Sequence, residues 1–550
     1  MTRAPTAVIM SGDYSGEDIC AEFGKLPPAF LPVGTRRLYE HQFKELTRFT
    51  KDIVLAIPAD FELDLADQER LEREDVRILR VPIGLSLGNA VYFIFEVLQL
   101  TSEVMILLGD TLMRFQDNPA ADTVSVFDTT DFYKWSEIVE AQDGVLSLRK
   151  GFGDGNSPRT VASGFYFLSD AQKFRDEVCR GVDFDAAIST YSKSRPVALK
   201  RDEWLDFGHI NTFYNSRKQM LVARYFNSLE CDGPVLTKGG QDQAKLRAEA
   251  RWFESLHDEM RVFAPAYLGN NGTSDGFSYN LEYLHNPTLA ELHVFARLPR
   301  FQWSTIGRQC EVFLDRCNAF SLTSTDRAMG NHASDWFQRL IVDKSLHRVE
   351  AFGRQTDFDV DAEIMLNGRR YPSLMRFAEG LIDGIRPSTP QDMSFWHGDF
   401  FFGNILFDLR SSKLKAIDPR GIPDAAEKVA IGDWRYDMAK LCHSVFGCYD
   451  LILSDRMSFE RRGPSDFALE VHQESSVRAV QDEFRPLRIR GQDLLSEEII
   501  PMTALLFVAM LPLHAEDPRR QFALLANAYR FFDEYSAGYG APRREKARTG

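Results

Sequence analysis

The chain has 550 residues, 44% hydrophobic and 26% charged, with 42 phenylalanines and a formal net charge of -15. At roughly 150 residues per domain it holds two to four domains, and its composition excludes collagen-like, mucin-like and wholly disordered chains. The acidic balance argues against a surface built for nucleic acid or anionic lipid, but not against nucleotides, which a few local groups hold.

Seven scattered cysteines, never in a C-x-x-C pair, read as free thiols of a reducing compartment, and the 11 histidines show no zinc spacing. The apolar run at Thr6–Met10 is too short for a signal peptide. The greasiest segment, 499–513, contains Pro501 and Pro512 and falls short of the roughly 20 residues a bilayer needs, so a buried helix is expected. These features predict a cytoplasmic protein with no nucleic-acid partner and no membrane insertion. They leave the oligomeric state open.

In chain order, residues 6–10, 52–57 and 76–81 read as strands, and 62–74 and 88–100 as helices. The unbroken apolar run 104–108 fits a parallel strand buried on both faces. This alternation predicts a doubly wound α/β domain over 1–225. The rhythm then changes: strand 234–238, helix 242–256 and strand 278–284 precede a mostly helical remainder, with helices at 301–320, 371–385 and from 497 onward. A small strand-bearing lobe followed by a large helical lobe is predicted over 226–540, with a basic tail at 541–550.

The densest motif is Trp396-His397-Gly398-Asp399, with Asn404 five residues beyond Asp399 and Asp418 a further 14 on. Phosphoryl transfer from ATP needs a carboxylate to take the proton of the attacking hydroxyl and oxygen ligands to hold Mg²⁺ against the phosphates. The H-G-D-x-x-x-x-N spacing resembles the catalytic loop of the aminoglycoside phosphotransferase and choline kinase family. That resemblance implies Asp399 as base, Asn404 and Asp418 as Mg²⁺ ligands, and His397 as the residue shaping the loop. It implies that Lys238 grips the nucleotide and pairs with a helix glutamate, Glu249 or Glu254, and that the strand through Glu282-Tyr283-Leu284 meets adenine. Asp433 would cap a helix or brace the loop. No G-x-G-x-x-G precedes Lys238; Gly239-Gly240 follow it.

In the first half, Gly24-Lys25-Leu26-Pro27-Pro28 through Leu38, Leu107-Leu108-Gly109-Asp110, Lys150 after Gly144-Val145, Ser163-Gly164-Phe165 and Trp204-Leu205-Asp206-Phe207-Gly208 follow one another. This succession resembles sugar-phosphate nucleotidyltransferases. The resemblance implies Asp110 and Asp206 as metal ligands, Lys150 and Gly164 at the substrate, and Gly12 and Gly16 as backbone contacts to a triphosphate. Acids occupy the loop 11–18 and Pro28 stands at the family's lysine position. Lys25 would take the catalytic role instead, helped by Arg36 or Arg37.

Together the resemblances imply an N-terminal doubly wound, Rossmann-like nucleotidyltransferase domain and a C-terminal α+β, bilobal kinase-like domain, as in bifunctional enzymes of capsule biosynthesis. They imply Mg²⁺, ATP and a second NTP, guessed to be CTP, acting on a small alcohol, amino alcohol or sugar. The alternative is a small-molecule kinase whose first half binds a nucleotide or sugar without turnover.

Overall fold

The unbroken apolar runs of the first half become the centre of a sheet in the computed structural model, which describes residues 4–179, 183–224, 229–273, 276–319, 326–422 and 429–536. The basic tail at 541–550 lies outside the described residues, as does the expected domain boundary at 225/226. Two compact units emerge: Met1–Leu221 with Phe295–Arg297, and Val222–Val294 with Leu298–Gly550.

In the first unit, β1 (Thr6–Met10), β2 (Ile53–Pro58), β3 (Arg77–Val81) and β4 (Val104–Leu108) run parallel in the order β4-β1-β2-β3. The helices between them are α1 (Glu17–Phe23), α2 (Leu38–Leu46), α3 (Leu65–Arg73) and α4 (Leu87–Leu98). Ser86 starts α4 by accepting the Asn89 N–H at 3.3 Å, and Gln99 ends it in the left-handed conformation. The strand order reverses between β1 and β4, so the carboxyl ends of these two strands flank the crevice where open α/β sheets bind ligands.

Five more strands complete a nine-stranded sheet: β5 (Thr123–Thr129), β6 (Lys134–Gln142), β7 (Val145–Phe152), β8 (Arg159–Leu168) and β9 (Ala198–Arg201). β8 pairs antiparallel with β4, so the doubly wound order covers the four parallel strands and the sheet as a whole is mixed. Outside the sheet, Glu203–Asp206 pairs with Thr111–Arg114 and leads into α5 (Ile210–Arg224).

The second unit opens with an antiparallel sheet of β10 (Leu229–Asp232), β11 (Val235–Lys238), β12 (Tyr267–Thr273) and β13 (Gly276–Glu282), in the order β10-β11-β13-β12. Between β11 and β12 lies α6 (Gln243–Glu254), started by Asp242, whose side chain accepts the Lys245 N–H at 3.0 Å.

The larger part of this unit is helical, with α7 (Arg300–Ala319), α8 (Asp326–Phe337) running through a π turn at Gln338–Asp343 into α9 (Lys344–Thr356), and α10 (Leu374–Asp383). The catalytic-loop candidates sit between β14 (Met393–Phe395), the hairpin β15 (Ile405–Asp408) and β16 (Lys413–Ala416), and α11 (Trp434–Val445). Every residue of α12 (Ile499–Met510) is buried, and α13 (Pro518–Ser536) packs beside it. Each buried Leu, Ile or Phe contributes about 1.5–3 kcal/mol, which makes α12 the central pillar of the unit. Among the described residues no helix is long and apolar enough to cross a membrane.

The helical part also holds a four-stranded sheet absent from the expectation. Arg369–Tyr371, Ile364–Leu366, Asp466–Val471 and Met457–Arg461 lie side by side in that order. The strands are short and partly polar, so periodicity is weak, yet Asn367-Gly368 takes positive φ at both positions of a two-residue turn. That dipeptide is the local signature of a hairpin. Because 369–371 is a strand, the helix expected over 371–385 starts only at Leu374.

Candidate functional sites

In the second unit, Lys238 ends β11 with its Nζ 2.7 Å from Glu249 Oε2 and 2.9 Å from Asp418 Oδ1. Glu249 is buried on α6 and also accepts the Tyr279 hydroxyl at 2.6 Å. Glu254, one helical turn and a half further on, accepts from Tyr267 and Asn270 instead, so Glu249 is the lysine's partner. Burial would lower the Lys238 pKa, but the charges of Asp418 and Glu249 hold it above the usual lysine value.

The loop after β14 is held from below by Asp437 in the first turn of α11. Its two carboxylate oxygens accept the His397 N–H at 2.7 Å and the Gly398 N–H at 2.8 Å. His397 is fully buried, in ring contact with Trp252, Phe313 and Phe400, and accepts the Asp399 N–H on Nδ1 at 3.3 Å. Burial pushes its imidazole down to about 4, so it is neutral near pH 7 and shapes the backbone rather than carrying charge. Gly398 turns the chain at φ 78°, where a Cβ would stand 2.7 Å from Arg420 Cβ.

Asp399 faces a cavity of about 580 Å³ that Asn404, Asp418 and Glu249 also line. Its Oδ1 lies 2.7 Å from Lys440 Nζ, and its Oδ2 accepts from Asn404 Nδ2 at 3.1 Å. Burial pushes the carboxyl up, but Lys440, Arg420 and His397 outweigh it and hold the pKa below the ordinary range. Asn404 Nδ2 is further committed to the Asp399 carbonyl at 3.0 Å, which turns the amide oxygen away from Asp399. Asp418, at φ 54°, keeps a side chain that is 53% exposed.

An amide oxygen and a carboxylate form a hard, all-oxygen donor pair of the kind that suits Mg²⁺, which takes its remaining ligands from water and substrate phosphates. Among the described residues no group of three or more His, Cys, Asp or Glu could hold a metal by itself. Glu282 ends β13 with its carboxylate turned back onto the Ala266 N–H at 3.3 Å.

Three residues of this site escaped the sequence reading. Asp437, Lys440 and Arg420 brace and charge the loop, whereas Asp433 caps α11 and pairs with fully buried Arg435. The available signal was the spacing of Asp437 and Lys440, three apart on one helix face.

In the first unit, Asp110 follows β4 and Asp206 ends the strand Glu203–Asp206. Both flank Gly208, where a Cβ would lie 2.4 Å from Asp110 Oδ2 and 3.3 Å from Asp206 Oδ1. Asp206 accepts the Thr212 hydroxyl at 2.5 Å and stands 3.1 Å from His209 Nδ1. Burial, then the charge of Asp206, pushes Asp110 up to about 6. A half-buried and a buried carboxylate that repel one another fit a divalent cation, which relieves the repulsion through oxygen ligands.

Gly164 lies in β8 against Thr111 and Leu108, the neighbourhood of Asp110. Gly12 packs on Val81, and Gly16 precedes α1, whose first turn carries Glu17 and Asp18. Lys25 stands 3.6 Å from Asp60 with its ammonium 3.9 Å from the centre of the Tyr14 ring, and Lys150 is exposed on β7, close enough to act on Asp185. Arg37 is not free to assist Lys25. It is fully buried and paired with Asp64 at 3.1 Å and Asp67 at 3.2 Å, while Arg36 is exposed.

No protein-family model matches the chain, and no curated protein matches it. Among solved structures, the inositol-1-phosphate CTP transferase from T. maritima is 12% identical with a TM-score of 0.31, covering 40% of this chain and 98% of its own. An aminoglycoside-3'-phosphotransferase of type VIII is 15% identical with a TM-score of 0.29, covering 53% and 97%. The macrolide 2'-phosphotransferase MphH from Brachybacterium faecium is 12% identical with a TM-score of 0.30, covering 59% and 98%. The functional reading rests on the geometry of the two sites.

Proposed function

We propose that the chain performs two successive transfers. The second unit moves the γ-phosphoryl group of ATP onto the hydroxyl of a small alcohol. The first unit then joins the phosphorylated product to a nucleoside monophosphate taken from a second NTP, CTP in this reading. The observation that carries the proposal is the convergence of Asp399, Asn404, Asp418 and Glu249 on one cavity, with Lys238 bridging Glu249 and Asp418.

In the first transfer Asp399 accepts the proton of the attacking hydroxyl, held in place by Lys440 and Asn404. Lys238 supplies positive charge for the nucleotide phosphates and is kept charged by Glu249. Mg²⁺ bound by Asn404 and Asp418, and by Asp110 and Asp206 in the first unit, would neutralise the phosphate charge that builds up during transfer. Fusion of the two steps raises the effective concentration of the intermediate. The reading extends to an NDP-linked precursor for capsule or other surface polysaccharide.

Incubation with ATP, CTP and a panel of alcohols tests this. ADP is expected first, and pyrophosphate only once the phosphorylated alcohol has formed. A second reading, in which the first unit binds a nucleotide or sugar without turnover, is favoured by the acids at 13, 17 and 18 and by the engagement of Lys25 with Asp60. Absence of pyrophosphate with every NTP selects it.

A further inference from the structure

The cavity beside Asp399 has one wall that phosphoryl transfer does not require. Helix α8 passes through the π turn at Gln338–Asp343 before continuing as α9. Such turns re-aim the side chains that follow and recur at functional sites. Here they bring Lys344 and Arg348, one helical turn apart, to the cavity, where Arg420 and Lys440 join them from other elements. Lys245 also lines the cavity, beside the Glu249 and Asp418 carboxylates that Lys238 already pairs with. Four basic side chains thus share the rest of the lining with the single carboxylate of Asp399.

The four are unequally matched. Lys440 pairs with Asp399 at 2.7 Å, and Arg420 donates to the Gly398 carbonyl and the Tyr436 hydroxyl. Arg348 donates to the Ala509 carbonyl at 2.6 Å rather than to an acid. Lys344 has no ion-pair partner among the described residues. Burial first, then the charges of Arg420, Arg348 and Lys440, push its ammonium down to about 6 against the opposing pull of Asp399. Uncompensated positive charge in a partly dry cavity is costly, and a fixed anion removes that cost.

We propose that the acceptor is an anionic alcohol whose carboxylate or phosphate is held by Lys344 and Arg348 while its hydroxyl faces Asp399. The proposal rests on the phosphotransfer reading and names its substrate class. Leu505 and Met502 on α12 line the same cavity and take a short carbon skeleton. In the step itself the acceptor oxygen bonds to the γ-phosphorus, the bond from that phosphorus to the β,γ-bridging oxygen breaks, ADP leaves and the hydroxyl proton passes to Asp399. An amino alcohol would bring a further cation against Arg348, Arg420 and Lys440 and would leave Lys344 without a counter-charge.

The test measures ADP release by the full chain with ATP, Mg²⁺ and matched alcohols: glycerate and glycerol 3-phosphate as anions, glycerol as neutral, ethanolamine and choline as cations. The anionic members are expected to exceed the others in kcat/KM by at least about tenfold, the scale of one lost charged hydrogen bond. The ranking of glycerate against glycerol 3-phosphate separates carboxylate from phosphate. Lys344→Gln and Arg348→Gln should each raise the KM of the preferred anion about tenfold or more, with the KM of ATP as the internal comparison. Preference for glycerol or a cation, ATP hydrolysis that no anion stimulates, or a rise confined to the KM of ATP overturns the inference and leaves phosphotransfer standing. A chain that hydrolyses no ATP, alone or with any alcohol, overturns both.

Discussion

Lys440 Nζ lies 2.7 Å from Asp399 Oδ1 while Asn404 Nδ2 holds the other oxygen at 3.1 Å, so the candidate base is gripped on both sides. Burial alone would raise the pKa of Asp399, and Lys440 is the largest charge that lowers it. A base with a depressed pKa loses activity as pH falls through that value. Lys440→Met should therefore move the acid limb of the kcat/KM–pH profile of ADP release to higher pH. Asp399→Asn should lower kcat by about 10²–10⁴-fold. An unmoved limb in Lys440→Met would dissociate the ion pair from catalysis.

Asp437 offers a second pH signature. Burial pushes it up to about 7 even though it accepts the backbone N–H groups of His397, Gly398 and Phe400. A carboxyl raised above its unfolded value contributes stability that is full at acid pH and lost as pH rises toward about 7. Asp437→Asn removes that slope, and because an amide accepts on only one atom it also loosens the loop 397–399 that carries the candidate base. Urea midpoints at pH 5 and pH 8 should lie closer together in the variant than in the parent, with kcat reduced.

The reverse sign holds at Lys344, whose pKa is pushed down to about 6, burial being the largest cause. An ammonium depressed on folding costs stability progressively as pH falls below its unfolded value of about 10.4. Near pH 7.5 the apolar Lys344→Met should raise the Tm of the second unit, by about 2–4 °C for each kcal/mol recovered, while acceptor turnover falls. A lowered Tm would contradict the charge imbalance.

In the first unit, Asp110→Asn or Asp206→Asn removes one of two carboxylates that meet over Gly208. Release of pyrophosphate should fall by about 10²-fold or more, with ADP formation by the second unit retained. Parallel assays of the two products on one preparation decide it. Equal loss of both products would argue against separate sites.

Gly398→Ala forces a Cβ to within 2.7 Å of Arg420 Cβ and 3.2 Å of the Trp396 ring, at φ 78°. Destabilisation of about 1–3 kcal/mol is expected in denaturant titration, with loss of phosphotransfer. Gly380→Ala on α10, with nothing within 4 Å of the added carbon, is the comparison and should be neutral or stabilising by up to about 1 kcal/mol.

The chain's own order of residues settled what is local. The runs 6–10 and 104–108 are strands because unbroken apolar stretches of that length bury both faces, and Asp399, Asn404 and Asp418 share one loop and hairpin within 20 residues. The Asn367-Gly368 hairpin was equally local and could have been read from its turn chemistry. Tertiary packing decided the rest, because it sets which face of a helix meets which loop. It selected Glu249 over Glu254 for Lys238, Asp437 rather than Asp433 beneath the candidate catalytic loop, and Asp64 and Asp67 as partners that remove Arg37 from the first candidate site. It also brought Lys344 and Arg348 to the cavity that Asp399 lines, just past a π turn that no residue pattern announces. Charge at a distance along the chain acquires meaning only when packing excludes the water that would otherwise screen it.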